Sequence, residues 1–113
     1  MAHHPTLEQT LRQLIASPSI SGALAEHNLS NLGVIHLLAD WLEALGFQTT
    51  IQSISEQPSK ANLIARIGPD SPHGLLLSGH TDTVPCNPEL WDGDPFTLRE
   101  ADGRYYGLGS VDM

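Results

Sequence analysis

The hydrophobic period of this chain changes at Gly46, and that change sets the class of fold open to it. Before it, Leu32, Ile35, Leu38, Ala39, Leu42 and Leu45 recur every three or four residues, which is one face of a helix opening at Asn28 or Ser30. Gly46 suits the left-handed position that stops such a helix. After it, Phe47, Thr49 and Ile51 alternate with Gln48, Thr50 and Gln52, the pattern of a half-exposed strand. A shorter helix is predicted upstream. Thr6-Leu7-Glu8-Gln9 reads as a capping box behind Pro5, Leu7, Leu11, Leu14 and Ile15 share a face, and Ser17-Pro18 ends the run. A polar loop from Ser19 to His27 links the two helices.

Strand signals fill the rest. Gln57-Pro58-Ser59-Lys60 reads as a turn, Asn62 to Ile67 as a second strand, and Gly68 to Pro72 as a loop. Leu75-Leu76-Leu77 is a short continuous apolar run, suited to a strand buried on both faces. Ala101-Asp102-Gly103 reads as the turn of a hairpin flanked by Phe96 to Arg99 and Arg104 to Leu108. Two helices followed by a mixed sheet, with one central apolar strand, predict a layered α/β domain.

At 113 residues the chain is one domain or less. Five Lys and Arg against thirteen Asp and Glu give a net charge of −8. Nucleic acid is excluded as a partner because phosphate binding needs clustered cations, and a membrane surface is excluded for the same reason. Cys86 is the sole cysteine, so no intrachain disulfide forms. Met1 to Pro5 lacks the basic and apolar blocks of a signal peptide, and no apolar run approaches the roughly 20 residues that span a bilayer. A reducing, cytoplasmic setting is expected. The paired His3 and His4 are read as incidental.

The chemistry concentrates where the apolar run ends, at Ser78-Gly79-His80-Thr81-Asp82-Thr83-Val84-Pro85. In extended backbone His80 and Asp82 share a face. One imidazole nitrogen can then ligate a metal while the carboxylate accepts the other N–H and fixes the tautomer. The same pattern also fits a hydrogen-bonded core histidine beside a turn carboxylate. A second segment, Gly107-Leu108-Gly109-Ser110-Val111-Asp112, reads as a strand that delivers another carboxylate. Its two glycines call for something passing close by.

Together these segments resemble the M20 metallopeptidases. The signatures Gly-His-x-Asp-x-Val-Pro and, some thirty residues on, Gly-x-Gly-x-x-Asp-Met stand here as Gly79 to Pro85 and Gly107 to Met113. Trp91, Asp94-Pro95-Phe96, Gly103 and the lead-in Ile15 to Ser21 fit as well, so the similarity covers nearly the whole chain. The resemblance implies that residues 1–113 are the N-terminal part of a layered α/β/α catalytic domain of zinc-exopeptidase type. It implies that His80 ligates one divalent metal and Asp112 bridges two, zinc or cobalt, while Asp82 is the catalytic carboxylate that orients His80.

The implied reaction is hydrolysis of a small N-acetylated amino acid, N2-acetylornithine, to ornithine and acetate in arginine biosynthesis, by a protein that is a homodimer at full length. The general base, the remaining ligands and the dimerisation domain would lie beyond residue 113, and the isolated chain is expected to be inactive. Relatives with the same motifs act on succinyl-diaminopimelate, dipeptides or C-terminal residues. A non-catalytic remnant or partner-binding module is the alternative of another class.

Other candidates are read as structural. Cys86 is expected to be a small buried thiol and His36 a partly buried residue of the second helix. His27 and His73 should be solvated, and Trp91 and Phe96 packed in the core. Tyr105 and Tyr106 should face opposite ways, and Asp92 and Asp94 should serve a turn around Gly93.

Overall fold

The structure, a computed structural model, describes residues 5–112; His3, His4 and Met113 lie outside the described residues. Helix α1 spans Leu7–Ile15 and starts on the predicted capping box. Thr6 Oγ1 accepts from the Gln9 amide at 3.2 Å, and the Gln9 side chain accepts from the Thr6 amide at 2.8 Å. The apolar face narrows along the helix. Ile15 is buried, Leu11 and Leu14 are half-buried, and Leu7 stands in solvent.

Helix α2, Leu32–Ala44, opens two residues after Ser30, which still serves it by accepting from the Leu32 amide at 3.2 Å. Asn31 occupies the cap position, but its side chain is committed elsewhere. Its Nδ2 donates to the Ala61 carbonyl and its Oδ1 accepts from the Ala61 amide, both at 2.9 Å. One amide thus bonds a strand as a neighbouring strand would. Gly46 ends the helix at φ +89°. Val34, Ile35 and Ala39 are buried, whereas His36 is exposed, contrary to expectation. It shares a solvent face with Asp40 and Glu43, four and seven residues on.

Strands β1, Gln48–Ile54, and β2, Gln57–Arg66, form an antiparallel hairpin against which α2 packs. Its turn is Ser55-Glu56, so the turn expected at 57–60 is corrected: those residues begin β2. Ile54 pairs with Gln57 and Ser53 with Ala61, leaving Pro58, Ser59 and Lys60 bulged. Pro58 has no N–H to give the ladder, and a bulge tolerates that. The bulge also serves α2, because the Ser59 carbonyl accepts from the Asn31 amide at 3.2 Å and from Ser30 Oγ at 2.9 Å.

Strands β3, Arg99–Ala101, and β4, Arg104–Tyr106, form the second hairpin, shorter than predicted. Ala101 pairs with Arg104 across Asp102 (φ +53°) and Gly103 (φ +70°), the positive pair a two-residue turn requires. The Arg99 guanidinium lies 4.2 Å from the Tyr106 ring centre.

Two strand expectations are corrected. Leu75, Leu76 and Leu77 are 82–89% exposed and are not in a strand. A strand buried on both faces needs partners on both edges, and no strand among the described residues lies beside them. Gly107 to Asp112 is also not a strand. It turns instead, with the Ser110 amide donating to the Gly107 carbonyl at 3.1 Å and Gly109 at φ +83°. The result is an α/β fold with helices before strands, as predicted. Among the described residues its sheets are two antiparallel pairs, and its parallel pairing is a single bridge from Ile20 to Thr83. No helix among the described residues is long and apolar enough to cross a membrane.

Candidate active site

The bridge between Ile20 and Thr83 builds the site. The Thr83 amide donates to the Ser19 carbonyl at 3.3 Å, and the Ser21 amide donates to the Thr83 carbonyl at 2.9 Å. Ser19, buried at 4% exposure, donates through its hydroxyl to the Thr81 carbonyl. Residues 81 to 83 therefore run extended along the loop that follows α1.

A second clamp holds the 107–112 turn. Gly107 lies so close to Ile15 that a Cβ there would come within 2.7 Å of Ile15 Cδ1, and the Leu108 amide donates to the Pro95 carbonyl at 2.8 Å. Gly109 passes over Thr83, where a Cβ would meet Thr83 Cγ2 at 2.9 Å. The close approach expected of these glycines is present, at a turn instead of a strand.

These clamps bring together three of the predicted residues. His80 Nδ1 donates to the Asp82 carbonyl at 3.1 Å, and the Asp82 carboxylate lies 3.3 Å from the same nitrogen. His80 Nε2 faces Asp112 Oδ1 at 3.2 Å, across 32 residues of sequence. The backbone oxygen of Asp82, not its carboxylate as expected, thus takes the closer contact.

A carbonyl oxygen only accepts, so it fixes the proton on Nδ1. In the neutral ring the Nε2 lone pair then points at a carboxylate oxygen at hydrogen-bond distance. Two acceptors so placed require a cation or a proton between them. The proton is favoured accordingly: the hydrogen bond to the Asp82 carbonyl raises the His80 pKa above its ordinary value, desolvation opposes it, and the Asp82 charge and the hydrogen bond and charge of Asp112 add to the rise.

The donor set also fits a metal. Imidazole nitrogen and carboxylate oxygen are zinc ligands, and two corners of a tetrahedral zinc site stand about 3.3–3.5 Å apart. The His80–Asp112 separation of 3.2 Å is close to that edge. Among the described residues no group of three or more His, Cys, Asp or Glu is arranged to hold a metal, so this pair would supply two corners of a metal site and no more.

His80 and Asp82 border a cavity of about 720 Å³ that Leu14, Val34, Ile35 and Leu63 also line. Phe96, half-buried, lines it too, while Trp91 lines a separate hollow of about 430 Å³ with Leu98 and Tyr106. Cys86 is half-buried and lines neither. His27 and His73 are exposed, as expected. Asp94 serves its turn: Oδ1 accepts from the Phe96 amide at 3.0 Å and Oδ2 from Thr97 Oγ1 at 2.7 Å, which hold its pKa below the usual value. Ser19 and Thr83 were not singled out by the sequence, because their pairing joins residues more than sixty apart and leaves no local pattern.

The model of Peptidase family M20/M25/M40 matches residues 76–113. Acetylornithine deacetylase of Proteus mirabilis (strain HI4320) is 52% identical over 109 residues. The proteins of the same name from Photorhabdus laumondii and Shigella sonnei (strain Ss046) are 50% and 48% identical over the same length. Each alignment covers 96% of this chain but 28% of the relative, so the chain spans little more than a quarter of the length of these relatives. Residues 76–113, which carry His80, Asp82 and Asp112, match the model of Peptidase family M20/M25/M40, and the chain as a whole is similar to about a quarter of an acetylornithine deacetylase.

Proposed function

We propose that this chain supplies part of the active site of a metal-dependent amidohydrolase that deacetylates N2-acetylornithine to ornithine and acetate, a step of arginine biosynthesis in the cytoplasm. The observation that carries the reading is the convergence of His80 Nε2 and Asp112 Oδ1 at 3.2 Å, with Nδ1 already committed to Asp82. The names of the relatives support the substrate class.

In this reading His80 would ligate a divalent ion, zinc or cobalt, and the Asp112 carboxylate would be shared between that ion and a second one. Bound divalent metal supplies Lewis acidity and brings the pKa of coordinated water towards neutrality. The chain's own residues do the rest. The Asp82 carbonyl holds the proton on Nδ1 so that Nε2 stays free to ligate, and the Asp82 carboxylate adds negative charge that makes the ring a better donor.

Two ligands fall short of the three that catalytic zinc sites take from protein. The 113-residue chain alone is therefore expected to be inactive, as one part of a catalytic domain whose whole protein is a homodimer. The test is a chimera in which this chain replaces the aligned stretch of the Proteus mirabilis deacetylase. It should hydrolyse N2-acetylornithine in a metal-dependent manner and lose that activity with His80→Ala, while the isolated chain gives no turnover above background. A folded, metal-loaded chimera without deacetylation, or turnover by the isolated chain, would contradict the reading.

A further inference from the structure

The loop between α1 and α2 makes no contact with a ligating atom, yet it bonds the His80 segment on both sides of Asp82. Ser19 donates its hydroxyl to the Thr81 carbonyl, and its own carbonyl accepts from the Thr83 amide at 3.3 Å. Ser21 closes the bridge at the Thr83 carbonyl at 2.9 Å. The peptide between these anchors belongs to Asp82, and its carbonyl is the acceptor that fixes the His80 proton on Nδ1. Thr83 is also the surface over which Gly109 turns to bring Asp112 to Nε2.

Ser19 is among the most buried polar residues described, and its hydroxyl is spent wholly on this backbone contact. A buried hydroxyl earns its place by the bond it makes, since an apolar residue would bury at less cost. Ser17 on the same loop is a contrast, because its hydroxyl donates to the Gln13 carbonyl within the helix end and reaches nothing of the site.

We propose that Ser19 is a positioning residue of the site. Its hydroxyl and carbonyl set the path of residues 81 to 83, and that path fixes the His80 tautomer and turns Nε2 towards Asp112. This rests on the reading of His80 as a ligand, but the geometry it describes exists without metal.

The test begins with the metal-free chain, by nitrogen-15 NMR of the His80 ring at a pH where it is neutral. The wild-type ring should carry its proton on Nδ1. Ser19→Ala should give a mixture of tautomers, Ser19→Thr should restore the Nδ1–H form, and Ser17→Ala should leave it unchanged. An unchanged tautomer in a folded Ser19→Ala overturns the proposal. Should that variant not fold, amide exchange in the wild type decides. Slow exchange at Thr83 and Ser21 supports the clamp, and exchange at the rate of free peptide overturns it.

A zinc titration separates the two claims. Ser19→Ala should weaken affinity about tenfold, the low end for a residue that orients a metal ligand. A tautomer that responds to Ser19, beside a chimera with the Proteus mirabilis deacetylase whose zinc affinity is unchanged by His80→Ala, keeps the positioning role and refutes the ligand reading instead.

Discussion

The state of His80 follows from which atoms face its two nitrogens. Nδ1 donates to a carbonyl oxygen, and Nε2 faces a carboxylate. Both contacts favour imidazolium, so the folded-state pKa lies above 6.5. A raised pKa means that the folded state binds the proton more tightly than the unfolded chain does. The resulting stabilisation is fully present below pH 6.5 and is lost as pH rises through the raised value. A thermal melting series should therefore show His80→Gln less stable than wild type at pH 5.5 and indistinguishable from it at pH 9. The same gap at both values would contradict the assignment. Zinc needs the deprotonated ring, so acid should weaken binding at a higher pH than for a free imidazole.

The partners of His80 were legible only in part. The two glycine-bearing motifs pointed to His80 and Asp112. The preference for the Asp82 carbonyl over its carboxylate depends on backbone torsions that residue types do not encode.

Elements with local causes were read correctly from sequence. Thr6 and Gln9 cap α1 reciprocally, Gly46 stops α2, and Asp102-Gly103 turns the second hairpin. Each signal lies within four residues of its effect. The turn at Ser55-Glu56 was misplaced because Pro58 usually marks turns, whereas here a bulge that also serves the start of α2 absorbs it.

The two α2 glycines offer a paired test. Gly46 sits at φ +89° with open space around it, so Gly46→Ala meets no clash and its cost is purely conformational, about 1–2 kcal/mol. Gly33 lies in the helix with nothing within 4 Å of an added Cβ, and Gly33→Ala should stabilise by roughly 0.5–1 kcal/mol. Urea unfolding of both variants measures the pair. Equal signs would show that helix termination is not what Gly46 provides.

At the scale of the whole molecule, non-local pairing decided what the sequence could not. Leu75-Leu76-Leu77 has the composition of a central strand but finds no partner among the described residues and stays exposed. An apolar run specifies burial only when another strand takes up its backbone bonds, and that partner is not written in the run itself. The site was more legible than the sheet, because close glycine packing on Ile15 and Thr83 draws its two segments together without a sheet between them. The approach of His80 to Asp112 is therefore a property of the folded chain, and the proposed hold of the two on a cation can be tested as such.

The most direct measurement is a double-mutant cycle on zinc affinity by titration calorimetry, with His80→Ala, Asp112→Asn and the double variant. Ligation of one ion by both side chains predicts that each single change removes most of the affinity and that the second then costs little more, a coupling of about 1 kcal/mol or greater. Fully additive losses, or zinc binding untouched by either change, would mean that the two side chains meet without holding a metal between them.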